Sequence, residues 1–173
     1  VYRYINPQPT AWPKADFIIG NPPFIGLRNL RRRLDDCVID AVREAYPEVP
    51  ENVDWVMYWW YKAAELTKRG GVRSFGFVTT KSISQSFARA LVRPYLKGKD
   101  RLSFIYAVPN HPWVDDADGA DVRIAMIAMQ AGKHPGLRQQ VTKEATGVDG
   151  SIEVTVAETV GPINARPVSY THL

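Results

Sequence analysis

The chain has 173 residues, 45% hydrophobic and 23% charged, enough for one domain with a packed core and not the composition of a disordered chain. Its 22 Lys and Arg against 18 Asp and Glu leave a formal net charge of +4, which permits a polyanionic partner without requiring one. The single cysteine, Cys37, excludes an internal disulfide, and with no signal peptide and no apolar stretch of bilayer-crossing length, a cytoplasmic protein without membrane attachment is expected.

Residues 1–14 carry Pro7, Pro9 and Pro13 and read as an irregular lead-in, with Trp12 expected at the edge of the first strand. The short apolar run Ala15 to Ile19 predicts a strand buried on both faces of a parallel sheet. Gly20 then frees the backbone, and Pro22 and Pro23 stiffen the turn after it. Asn21, the two prolines and Phe24 therefore stand at the carboxyl end of a core strand, where open α/β sheets place their chemistry. The Asn21 side-chain carbonyl and the Pro22 backbone carbonyl both accept hydrogen bonds, and proline has no N–H to compete. Two fixed acceptors can hold an amino group with its lone pair aimed at an electrophile, while Phe24 offers a flat face for a planar base. The plain alternative is an Asx-Pro turn after a strand.

Leu27, Leu30, Leu34, Val38, Ile39 and Val42 recur at helical spacing and predict a helix over about 29–46. Its start carries Arg28, Arg31, Arg32 and Arg33, the wrong sign for a helix N-terminus; they meet DNA phosphates or form a solvated face. Cys37 is expected as a small buried hydrophobe of that helix. Pro47 and Pro50 end it, Asn52 is available to cap the next, and a second helix is predicted over about 54–69, stopped by Gly70-Gly71. Trp55, Tyr58, Trp59, Ala63 and Leu66 form its apolar face, with Trp60 and Tyr61 off the main stripe.

Ser74 to Thr80 reads as a second buried strand, with Lys81-Ser82-Ile83-Ser84-Gln85 at its carboxyl end. A short helix follows over about 85–92, with Pro94 near its end. Leu102 to Val108 and Asp121 to Gln130 are the third and fourth strands, and the loop between them makes them an antiparallel pair. That loop holds Trp113, either an aromatic clamp or a ring tucked under the connection, and the acids Asp115, Asp116, Asp118 and Asp121. The acids fail the calcium-loop template, since Gly119 directly follows Asp118 and no closing Glu is placed, and read as a polar turn. A further strand is predicted at Ile152 to Ala157 after a Gly-containing linker, and the three histidines lack ligand spacing for a metal.

Asn21-Pro22-Pro23-Phe24 resembles the catalytic motif of amino-methyltransferases that act on adenine in DNA. Phe24-Ile25-Gly26, the Leu-rich segment after it, Tyr58-Trp59-Trp60, the run Gly76 to Ile83 and His111-Pro112-Trp113-Val114 come in the order seen in MmeI-like enzymes. These are bacterial type IIG/IIL restriction–modification polypeptides that fuse nuclease, methyltransferase and target recognition, and the resemblance covers about residues 12–135.

The resemblance implies part of a Rossmann-like fold that uses S-adenosylmethionine, a mostly parallel sheet with a terminal antiparallel strand pair. It implies Asn21, Pro22, Pro23 and Phe24 as the catalytic set gripping a flipped adenine from double-stranded DNA. Trp113 is implied as a second clamp and Lys81 and Ser82 as cleft lining, although many relatives have Asn at the Lys81 position; Arg31 and Arg32 are candidates for the DNA phosphates. The Gly-rich cofactor loop belongs to the sheet half that precedes this motif in such enzymes, so cofactor-binding residues are expected outside the chain, and the isolated piece is expected to be inactive. Residues 1–135 are then a partial catalytic domain, and 136–173 a linker with the start of a target-recognition region. The opening without Met and the patternless Pro167 to Leu173 suggest a piece of a longer polypeptide whose other domains are its partners. Two rivals stand: a protein glutamine methyltransferase, where the motif aromatic is usually Tyr, and a non-catalytic relic that only holds nucleic acid.

Overall fold

The structure is a computed structural model and describes residues 3–80, 83, 86–113, 122–147 and 152–164. Their order is β1 (Phe17–Gly20), α1 (Leu27–Arg33), α2 (Asp36–Ala45), α3 (Val56–Lys68), β2 (Ser74–Thr80), α4 (Ser86–Val92), a 3-10 turn (Arg93–Leu96), β3 (Leu102–Trp113), β4 (Val122–Ala131), β5 (Gly136–Thr146) and β6 (Ile152–Gly161). It is a mixed α/β fold with a six-stranded sheet in the order β1-β2-β4-β3-β5-β6.

β1 and β2 pair in parallel, Phe17 opposite Ser74 and Gly20 opposite Phe77, as a helical crossover requires. β4 then inserts between β2 and β3 and is antiparallel to both. The loop-connected strands thus pair antiparallel, as the sequence predicts. The sheet is not mostly parallel, however: besides β1/β2, only the short β3/β5 ladder is parallel. Insertion of β4 gives β2 and β3 a shared antiparallel neighbour in place of each other.

One face of the sheet carries the core. Phe75, Phe77 and Thr79 of β2 lie opposite Met129, Ile127 and Ala125 of β4, and all six are buried. α3 covers this face through Trp60, whose ring meets Phe75 at 6.2 Å and Tyr95 at 5.3 Å, both edge-on. Trp60 is fully buried while Trp59 is only partly so, the reverse of the predicted stripe. The flat sheet takes residues from more of the helix circumference than a narrow stripe supplies.

The opposite face is only partly covered. Phe17 and Ile19 lie on it and are 56% and 87% exposed, whereas Ile18 points to the core side. The expectation that this strand is buried on both faces is therefore corrected: β1 is an edge strand with one wet face.

The predicted helix over 29–46 is two helices. Leu34 and Asp35 adopt extended backbone between α1 and α2, at φ −130° and φ −64° with ψ near 143° in both. Arg31, Arg32 and Arg33 consequently fill the last turn of α1, where positive charge complements the helix dipole, and the unfavourable-terminus argument holds only for Arg28 in the first turn. Asn52 is not the cap of α3, whose N-cap position is Trp55. Gly70 does end that region at φ +75°, and the Gly71 N–H donates to Leu66 O at 2.9 Å. Cys37 is half-buried. No described helix is long and apolar enough to cross a membrane.

Candidate functional site

β1 delivers the motif to the sheet edge formed by the carboxyl ends of β1 and β2. The Asp16 carbonyl accepts from the Arg73 N–H at 2.8 Å and fixes the strand's start. Beyond Gly20, Asn21 and Pro23 are exposed, Pro22 is buried, and Phe24 is 37% exposed. Asn21 and Phe24 thus both reach solvent at a place where the fold could have sealed them beneath the sheet.

Two backbone bonds hold the loop. The Ile25 N–H donates to Pro23 O at 3.2 Å, a three-residue turn, and the Trp55 N–H donates to Ile25 O at 3.1 Å. The second ties the motif to the start of α3, so the aromatic helix that fills the core also positions the loop. α1 begins at once, with the Asn29 N–H on Gly26 O at 2.9 Å.

Asp54 carries no mark in the sequence, where it serves only as the first residue of a helix. Thr80 Oγ1 at the end of β2 donates to Asp54 Oδ2 over a long 3.4 Å, and a Cβ built on Gly26 would lie 3.7 Å from Asp54 Oδ1. This half-buried carboxylate stands between the motif loop and the end of β2. No hydrophobic period marks such a residue, so only the fold reveals it.

The other predicted site residues divide. Trp113, 44% exposed, ends β3 on the same sheet edge, three strand spacings from β1, or about 14 Å. Arg31 forms an exposed ion pair with Asp36 at 3.1 Å, and Arg32 is exposed beside it. Lys81 and Ser82 lie outside the described residues, as do the acids of 115–121. Trp12 lines a hollow with residues of α2 and α3, with Lys62 Nζ 4.6 Å above its ring. Lys62 also donates to Thr10 O, and burial lowers its pKa.

The described residues provide hydrogen-bond acceptors and a flat apolar ring at one edge, which suits an amine-bearing planar group. Gly70-Gly71 is not a strand-to-helix phosphate loop, because it terminates a helix and does not follow a strand. Among the described residues no three His, Cys, Asp or Glu side chains gather as metal ligands.

Comparison with known proteins gives one consistent result. The profile of the family described as MmeI, DNA-methyltransferase domain, matches residues 3–141. Among solved structures the chain is similar to the type IIL restriction–modification enzyme MmeI in complex with DNA, at 21% identity and a TM-score of 0.61. That match covers 91% of this chain and 20% of the MmeI chain. No curated protein matches it.

Proposed function

Because the chain belongs to the MmeI DNA-methyltransferase domain family, we propose that it carries the catalytic motif of a methyltransferase acting on the exocyclic amine of adenine in DNA. The observation that supports this reading is the exposed Asn21 beside the half-exposed Phe24 at the carboxyl end of β1.

The adenine leaves the duplex, at a cost of a few kcal/mol, and stacking on Phe24 returns about 1–3 kcal/mol. Asn21 Oδ1 and Pro22 O accept the two amine N–H groups and turn the nitrogen lone pair outward. S-adenosylmethionine supplies an electrophilic methyl group when bound, mainly by residues outside those described. The amine nitrogen would form a bond to that methyl as the sulfonium S–CH3 bond breaks to leave a neutral thioether, and would give up one proton to water. Trp113 and the segment with Lys81 and Ser82 flank the base, while Arg31 and Arg32 approach the phosphates, Arg31 by exchanging Asp36 for DNA.

The test is methyl transfer to duplex DNA by the native-length protein. Asn21→Ala is expected to lower the rate about 100-fold with unchanged melting temperature, because its side chain reaches solvent, and Phe24→Ala about 10-fold with a small drop in melting temperature, because part of its ring is covered. A protein amide accepting methyl groups while DNA does not would overturn the reading, as would Asn21→Ala with full activity.

A further inference from the structure

At the sheet edge opposite the motif, a cavity of about 490 Å³ opens between the 3-10 turn, the start of β3 and the segment 162–164. Its position follows from the register: Ser103 pairs with Gln130, which pairs with Ser74, the first residue of β2. It lies at the amino end of β3, level with the amino end of β2 two strands away.

Arg89, Arg93, Lys97 and Arg101 line this cavity, and no carboxylate is among its lining residues. Arg89 bonds to Ser86 Oγ at 3.2 Å; Arg93, Lys97 and Arg101 have no carboxylate partner among the described residues. Arg101 Nε is buried without a hydrogen-bond partner there, which an isolated guanidinium does not tolerate cheaply. Four like charges around one hollow repel each other, and an anion relieves that repulsion.

The rim is held in place. Ser103 Oγ donates to Gly132 O at 2.7 Å and accepts from the His134 N–H at 3.1 Å, and the Gly132 N–H donates to Arg101 O at 2.8 Å. The turn after β4 is thereby fastened to the start of β3. Three guanidinium forks and an ammonium match the several oxygens of a phosphate better than the two of a carboxylate.

We propose that this cavity is a phosphate-binding site separate from the motif, filled by backbone phosphates of DNA or by a free phosphate compound. The DNA source rests on the methyltransferase reading; the phosphate chemistry does not.

The experiment uses the native-length protein and its Arg93→Gln/Lys97→Gln variant, both positions being exposed and outside the motif. Duplex binding is followed against salt, and inorganic pyrophosphate binding by calorimetry. Backbone phosphates as the occupant predict a variant that binds DNA about 10-fold more weakly, with a salt slope smaller by about two. A free phosphate compound predicts saturable pyrophosphate binding that the variant loses, with duplex affinity unchanged. The Arg101→Gln variant is expected to reproduce whichever loss is seen, at a melting temperature no lower than the parent's. If both variants match the parent on DNA and on pyrophosphate, the proposal is wrong. Methyl transfer is measured in parallel, so failure of the catalytic reading shows in Asn21→Ala and not here.

Discussion

Trp60 shows where single residues are legible in the sequence and where they are not. Asn21 to Phe24 stand out because an Asn and two prolines after an apolar run have few structural uses. Trp60 carries no such mark: three consecutive aromatics leave open which one faces the sheet. Packing decides it, placing Trp60 between Phe75 and Tyr95 with its ring fully buried. Trp60→Ala is therefore expected to destabilise the fold by about 3–5 kcal/mol. Trp60→Phe should cost less, because it also removes an indole N–H that has no partner among the described residues. Denaturant titration of the two variants checks the order. Asp54 is invisible for the opposite reason: its significance lies in what surrounds it, the motif loop on one side and Thr80 on the other.

At the scale of elements, β2, α3 and α4 fall within two residues of where the hydrophobic period puts them. The misses share a cause, which is local signals overridden by neighbours. The sequence predicts that β3 ends at Val108, before Pro109, yet it runs on to Trp113. Register shifts at Phe104/Tyr106 and Val108/His111 absorb the irregularity, and a bulge is where a strand accepts proline. β5 reads as a linker because Arg138, Gln139 and Gln140 spoil its alternation. It forms through parallel pairing with β3, Tyr106 opposite Leu137, and a long hairpin with β6. The close approach has one requirement, since a Cβ on Gly136 would collide with the Phe104 carbonyl and with Ile163. Gly136→Ala is expected to cost about 1–3 kcal/mol, read as a lowered melting temperature. Bidentate pairing of Arg123 with Glu144, at 2.5 and 2.8 Å, also links β4 to β5 and lowers the Glu144 pKa.

Across the whole molecule, the aromatic core sets a pH limit. The Tyr61 phenol is pushed up to about 12, first by burial and then by Glu48 and Glu65. Tyr95 is raised as well, by burial and by its 2.7 Å bond to Glu65 Oε1, and burial raises Tyr46, Tyr58 and Tyr106. A phenol whose folded pKa exceeds its unfolded value keeps more protons when folded, so the folded state loses stability as pH rises. For Tyr61 that loss begins near 10 and is complete above about 12. Melting temperature is expected to fall steeply over this window, and Tyr61→Phe to flatten the fall; a profile unchanged by that substitution would contradict the assignment.

The lone flank of β1 has a consequence of its own. Its four residues are laced to β2 on one side, and along the other side no described strand meets their amides and carbonyls. The pair of acceptors that comes next is mounted on half a ladder. Whatever segment is laid along that vacant margin would brace Asn21 from a distance without touching it, making the turn after β1 only as firm as its neighbour.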